Sequence, residues 1–303
     1  MPLVYLAKVN LNSNIFQIYD KTLELNVVLE KIYKEFIGGT VYSYRYKEKY
    51  LDAMGNPVEY VKESNYSFQE IQKYENGVIT GKLVRKFNRP SEKLDPRTQK
   101  MIGTVVQEMV SIYFYYDVYR EMVTFCERQS FGYNQFMGAF TYLLNKIAKP
   151  YEFEIFLQKD REILEEKLKN LISVQKVKAT LIPPNSNDDD LTELRDDLMY
   201  MQQCQDVNAI KMDLSYSSNN LNMESKVMKD IKTAVSRGYG DVNATGINEN
   251  GKIQTVKSSK DAAYTVYIHD NMKEIDFNNE SYNMISRFIE KIASNRLNRK
   301  KGA

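Results

Sequence analysis

The sequence predicts an α+β (mixed α/β) fold, in which an N-terminal antiparallel meander is followed by a C-terminal mixed sheet flanked by helices. Residues 40–86 alternate β-branched or aromatic side chains with charged ones, which is typical of half-buried strands. Asn76-Gly77, inside that stretch, is a strong signal for a hairpin turn. After Pro150, segments with strand periodicity alternate with segments of helical periodicity, which indicates strands and helices in one layered unit.

The N-terminal half, residues 1–150, is predicted to be rich in strands. Its predicted elements in chain order are a strand at 3–9, a helix at 22–36, the meander at 40–86, an exposed loop at 89–100, two strands or one bent strand at 107–128, and a helix at 134–147. The loop is predicted because that stretch contains two prolines and almost no apolar residues.

The C-terminal half, residues 151–303, is predicted to be an α/β unit. Its predicted elements in chain order are a strand at 151–157, a helix capped by Asp160, a strand at 177–181, a helix at 188–198, a strand at 210–216, a helix at 221–236, strands at 241–245, 252–257 and 264–269, and a helix at 282–297. The first three elements predict a β-α-β unit. We place a domain boundary at Pro150, although a sheet shared across it would make the chain a single domain.

The charge balance argues against a general attraction to polyanions. Lys and Arg number 42 and Asp and Glu 40, so any binding to nucleic acid must come from a local surface. Cys126 and Cys204 lack the spacing of a disulfide framework or a zinc site. No apolar run approaches the roughly 20 residues that cross a bilayer. We therefore expect a cytoplasmic protein with no membrane partner.

Motifs for catalysis or cofactor binding are incomplete in this chain. His269 is the single histidine, so a His-dependent nucleophile system could be built in only one way. Residues 246–252 have the spacing of a phosphate-binding loop, but Ile253 stands where a Ser or Thr must hold Mg²⁺. The same stretch fits a hairpin turn between two strands. The sequence therefore assigns no catalytic residue, no cofactor and no metal ligand.

Basic and aromatic residues interleave in the N-terminal half. Tyrosine rings can stack on unpaired bases while Lys and Arg neutralise phosphates, so we predict a basic, tyrosine-rich face that contacts RNA or single-stranded DNA. The same alternation also fits a half-exposed sheet without a ligand. The predicted contact residues are Tyr42, Tyr44, Arg45, Tyr46, Lys47, Lys49, Lys82, Arg85, Lys86, Arg89 and Arg97. Because Arg85, Lys86 and Arg89 are expected to be exposed, changing them to Glu should cost little stability.

Three short motifs stand out in the C-terminal half: KATLIPPN at 178–185, Gly238-Tyr239-Gly240 and Asn250-Gly251-Lys252. Together with the order of elements, they resemble a group of uncharacterised bacterial proteins of similar length. Some members lie near mobile-element and phage-defence genes, so the resemblance implies a role in antiviral defence. It implies no catalytic residue and fixes no mechanism.

These observations predict a non-enzymatic binding component of a bacterial anti-phage system that contacts nucleic acid through its basic face. Two alternatives stay open. One is a Mg²⁺-dependent nuclease that uses Glu152 and Glu154, with Asp117 or Glu121. The other is a subunit that binds only protein within a larger assembly.

Overall fold

The computed structural model describes residues 2–51, 55, 57–99, 101–185, 191–192, 195–196, 211–269 and 273–301. The strands within these residues are β1 (Leu3–Leu11), β2 (Val41–Leu51), β3 (Pro57–Tyr74), β4 (Val78–Leu94), β5 (Met101–Asp117), β6 (Met122–Cys126), β7 (Phe153–Leu157), β8 (Leu171–Leu181), β9 (Met212–Ser217), β10 (Gly240–Asn248), β11 (Ile253–Lys257) and β12 (Thr265–Tyr267). The helices are α1 (Ile15–Tyr19), α2 (Leu25–Glu35), α3 (Tyr133–Ile147), α4 (Arg161–Lys169), α5 (Lys226–Ser236), α6 (Ser258–Asp261) and α7 (Glu274–Lys301). The predicted α+β class is confirmed.

The strands form two antiparallel sheets. The first runs in the order β12-β1-β6-β5-β4-β3-β2, and β7 pairs with β1 on the same edge as β12. The second runs in the order β11-β10-β8-β9. The predicted meander is confirmed, and Gly77 adopts the positive φ of 82° that its hairpin turn requires. All pairings among the described strands of the second sheet are antiparallel rather than mixed.

Apolar side chains cover both faces of the first sheet and one face of the second. Helices α2 and α3 pack on one face of the first sheet, where Phe36 and Phe140 contact Phe68 and Phe114. Helix α7 packs on the opposite face through a second cluster that includes Phe288. Helices α4 and α5 cover the second sheet. Burial of these clusters is the main stabilising contribution to the fold.

Two predictions about the strands are wrong. The predicted loop at 89–100 is too long, because β4 continues to Leu94 and β5 begins at Met101, so among the described residues only 95–99 lie outside the strands. No described side chain of 88–94 or 103–107 is buried, so cross-strand pairing rather than a core holds these ends, and the sequence shows no apolar alternation there. The predicted β-α-β unit does not form, because β7 joins the first sheet and β8 the second. The predicted helix at 188–198 lies largely outside the described residues.

The first sheet takes strands from both sides of Pro150. Strand β1 pairs with β7 at Ala7–Leu11 and with β12 at Leu3–Tyr5, and both partners follow that proline in the chain. Helix α7 then packs on the face of the same sheet. The predicted boundary therefore falls between strands of one shared sheet.

Candidate functional site

The first sheet divides into two hairpin arms at its far end. Strand β3 pairs with β4 only as far as Ser64 and Phe87. Beyond that point, β2 and β3 stay paired to Leu51 and Pro57, and β4 and β5 stay paired to Leu94 and Met101. We call the described residues 45–51 and 57–63 the first arm and the described residues 88–99 and 101–107 the second arm.

A groove of about 1410 Å³ opens at the base of the two arms. Its wall on the opposite side is residues 126–135, which connect β6 to α3. We call this space the arm groove. Its polar and aromatic lining includes Glu48, Lys49, Tyr60, Lys62, Arg85, Phe87, Asn88, Arg89, Tyr113, Glu127, Arg128, Tyr133, Gln135 and His269.

Arg85 forms the base of the arm groove and is only 6% exposed. It lies on β4 opposite Tyr66, on the face that α3 covers. Its guanidinium donates to the Ser64 hydroxyl at 3.2 Å, to the Gln135 side-chain oxygen at 3.3 Å and to the Ser130 carbonyl. Its carbon Cζ lies 4.2 Å from the centroid of the Phe87 ring. The side chain is therefore held in one orientation by several contacts.

The charge of Arg85 has no acidic partner among the described residues. All three of its hydrogen-bond acceptors are neutral, and its Nε atom is buried without a partner in that part of the chain. Proteins normally pair a buried charge, because removing an ion from water is costly. The base of the arm groove therefore carries a positive charge that an anion could compensate.

The other basic residues of the groove lie nearer the solvent. Lys62 contacts Glu48 at 2.9 Å, and this contact, with the Tyr60 hydroxyl, holds the pKa of the Glu48 carboxyl below its usual range. Arg89 contacts Glu108 at 2.6 Å across the second arm. These ion pairs are partly exposed, so each contributes little to the stability of the fold.

Strand β2 does not present its tyrosines and its basic residues on one face, because successive side chains of a strand point to opposite faces. The two faces carry Tyr42, Tyr44 and Tyr46 on one side and Arg45, Lys47 and Lys49 on the other. Tyr42 packs towards α3, with its ring centroid 4.1 Å from that of Tyr142. The predicted basic, tyrosine-rich face is thus divided between two surfaces.

Several of the predicted contact residues already have acidic neighbours. Arg45 contacts Glu63 at 2.9 Å, and Lys47 contacts Glu59 at 3.3 Å. Lys82 forms an ion pair with Glu70. These pairs link neighbouring strands, so they stabilise strand pairing and reduce the charge available to a ligand.

The remaining predicted residues separate by position along β4. Arg85 and Arg89 line the arm groove together with Lys49 of β2. Lys86 is exposed on the opposite face of β4, and Arg97 is exposed in the turn at the end of the second arm. The expectation that Arg85 is exposed is wrong, because its odd position places it on the face covered by α3.

Sequence reasoning missed groove residues on the first arm and in the segment 126–135. Lys62 could have been found, because hairpin pairing of β2 with β3 places it opposite Tyr46. No local sequence pattern places Arg128 and Tyr133 in the groove, because their position there depends on tertiary packing.

Three of the four carboxylates considered for a metal site, Glu154, Asp117 and Glu121, have basic or amide partners. Glu154 contacts Lys211 at 3.2 Å, and Asp117 contacts Arg120 at 3.2 Å. Glu121 accepts a hydrogen bond from Asn185. Across the described ranges, no three His, Cys, Asp or Glu side chains come together in a way that could hold a metal ion.

Residues 246–252, which have the spacing of a phosphate-binding loop, include the end of β10 and form the predicted hairpin turn to β11.

A polar cluster is buried where β1 meets the residues that precede β10. The Lys8 ammonium lies 3.8 Å from the Glu121 carboxylate, and Asn10 donates to the Gly238 carbonyl at 2.9 Å. Burial raises the pKa of the Glu121 carboxyl. Because the Lys8 ammonium already faces this carboxylate, a metal cation is not favoured there. We assign the cluster to polar contact between the two sheets.

Fold and site together define an α+β protein with a basic groove between two hairpin arms. The chain belongs to the family described as Domain of unknown function (DUF4747), whose model matches residues 26–295. The match includes both arms and nearly all of the groove lining. No curated protein matches the sequence. None of the described helices is both long and apolar enough to cross a membrane.

Proposed function

We propose that the arm groove binds single-stranded nucleic acid, either RNA or DNA, without cleaving it. The observation that carries this proposal is Arg85, a buried cation at the base of an open groove whose hydrogen-bond partners are all neutral. A phosphate group would supply the missing negative charge and accept charge-assisted hydrogen bonds.

The size and lining of the groove favour a polymer over a small anion. Its volume of about 1410 Å³ exceeds the roughly 300–1,000 Å³ of most small-molecule sites. Lys49, Lys62, Arg89 and Arg128 add basic groups around Arg85. Successive phosphates of one strand could contact these groups in turn, which is how grooves that follow a nucleic-acid backbone bind.

Aromatic rings beside these basic groups support a single strand over a duplex. Tyr60 and Tyr133 line the groove and are each half-buried, so part of each residue stays accessible. Unpaired bases stack on such rings, whereas the bases of a duplex are already stacked on each other. The groove thus combines the two kinds of contact that single-strand binding uses.

A role in antiviral defence is part of this proposal and is supported only by the resemblance of the C-terminal motifs described above. Binding without cleavage fits such a role if the protein senses or holds a foreign strand for a partner protein. Binding to a partner protein alone stays the alternative, and the experiment below separates the two.

The test is fluorescence anisotropy with labelled single-stranded RNA and DNA. Lys62→Gln combined with Arg89→Gln removes two groove charges that are ion-paired at the surface. We expect a weaker affinity and a salt dependence reduced by about 1.4, since each phosphate contact contributes about 0.7 to the slope for a single strand.

The matched control is Lys34→Gln combined with Lys229→Gln, which also removes two ion-paired basic side chains but outside the groove. Its affinity and salt dependence should equal those of the wild type. Equal loss in both double variants would mean that binding is not located in the groove. No binding by the wild type would reject the proposal and favour the protein-binding alternative.

A further inference from the structure

Strand β5 has a long unpaired edge. It pairs with β4 along all 17 of its residues, but on its other side it pairs with β6 only from Phe114 onward. Alternate residues between 103 and 113 therefore present free backbone N–H and C=O groups on that edge within the described part of the chain. Such an edge is a template for another strand.

This edge has almost none of the features with which proteins usually prevent strand addition, namely several charges, prolines and bulges. Between Gly103 and Tyr113 the only charged residue is Glu108, and Arg89 of β4 pairs with it. The register with β4 contains no bulge. Strand β2, at the end of the same sheet, differs because Arg45, Lys47 and Lys49 lie along it.

Two apolar side chains are exposed on this strand. Val105 is 46% exposed and Met109 is 68% exposed. They lie on the same face of β5, because residues four apart in a regular strand point the same way. They are also placed symmetrically about Gln107, which is the arrangement that pairing with an identical strand needs.

We propose that a second copy of this chain pairs with the β5 edge in antiparallel orientation, with Gln107 opposite Gln107 of the second copy. In this register Val105 of each copy lies opposite Met109 of the other, so both exposed apolar residues gain a cross-strand partner. Glu108 lies opposite Val106, and no like charges meet. The contact is symmetric, as a two-fold dimer requires.

Neighbouring registers fit less well. Centring the two-fold axis on Glu108 would place two carboxylates opposite each other, which is destabilising. Self-pairing of β2 about Tyr46 would place Arg45 opposite Lys47 of the second copy, with the same result. The β5 register about Gln107 is therefore the arrangement that charge and apolar contact both favour.

The test is the mass of the full chain in solution, measured by light scattering and native mass spectrometry. We expect twice the 35.4 kDa of one chain. Val105→Lys with Met109→Lys should be monomeric, and so should Val105→Glu with Met109→Glu, because like charges then meet across the two-fold axis. Mixing these two variants should restore a dimer that contains one copy of each.

Val61→Lys with Leu94→Lys is the matched control, because these two apolar residues are similarly exposed on the arms but lie outside this edge. That variant should stay dimeric. A monomeric wild type, or dimers that persist in both charged variants, would overturn the proposal. Circular dichroism of each variant checks that the fold is intact. The mixing experiment is a second check on folding, because an unfolded variant could not form the mixed dimer.

Discussion

Arg85 is the residue on which the proposed function depends most. Its guanidinium is held by Ser64, Ser130 and Gln135, which come from β3, from the segment after β6 and from α3. A side chain anchored from three parts of the chain keeps its charge in place before a ligand arrives, so little ordering is needed on binding. The same contacts also give Arg85 a structural role.

We predict that Arg85→Glu strongly destabilises the protein. The new carboxylate would be buried and would face the Ser130 carbonyl oxygen, which cannot donate a hydrogen bond to it. We expect the free energy of unfolding to fall by about 2–4 kcal/mol. Urea denaturation measures this. Lys86→Glu is the control, because that side chain is exposed and its change should cost no more than about 0.5 kcal/mol.

The thiol of Cys126 should be unreactive in the folded protein. Burial raises the pKa of Cys126 to about 11, so only about 0.1% is thiolate at pH 8. In a Cys204→Ser variant, we expect a disulfide reagent to label the protein slowly at pH 8 and rapidly once it is unfolded in urea. The native rate should rise with pH until about pH 11. Fast labelling of the native protein at pH 8 would contradict this.

At the scale of elements, the arms determine the site. The groove exists because β3 and β4 stop pairing at Ser64 and Phe87 while each continues with its other neighbour. Alternating residues predicted the meander and its hairpin turn correctly. They could not predict where pairing between two strands stops, because that depends on the twist of the sheet and on segment 126–135, which packs against Arg85.

We predict that the second arm can be removed without loss of the fold. Replacing residues 89–106 by Asn-Gly joins Asn88 to Gln107, which are paired in the sheet. The buried core begins beyond this point, so unfolding should stay cooperative. Arg89 and Pro90 are lost from the groove lining, so affinity for a single strand should fall about tenfold. Thermal melting and anisotropy measure the two effects.

A shorter deletion separates the groove from the turn at the end of the arm. Replacing only residues 95–100 by Asn-Gly removes Arg97 and keeps the groove lining. Full affinity in this variant is the expected result. If instead this variant loses as much affinity as the larger deletion, the contacts lie at the end of the arm rather than in the groove.

At the scale of the whole molecule, strands and a helix of the C-terminal half pack against the first strand of the chain. Strands β7 and β12 pair with β1, and α7 covers the face of the first sheet that carries Val4 and Leu6. The sequence predicted most of these elements, but it could not predict which of the two sheets each strand joins. Partner choice among short apolar strands is decided by packing between distant segments, which leaves no local pattern.

We predict that residues 1–150 do not fold cooperatively on their own. This fragment lacks β7, β12 and α7, so one edge of β1 and the apolar cluster under α7 would be exposed to water. A broad urea transition with little near-ultraviolet circular dichroism is expected. A fragment that unfolds as sharply as the full chain would show instead that the N-terminal half is an independent domain.

The salt dependence of binding tests the central claim most directly. Wild-type affinity for a labelled single strand is measured by anisotropy between about 50 and 200 mM salt, the range over which phosphate contacts weaken most visibly. The five basic residues of the groove predict a slope of log affinity against log salt of about −2 to −3.5. Measurable binding with such a slope supports a groove that follows a nucleic-acid backbone. No binding at the lowest salt, or binding that salt does not change, would contradict it.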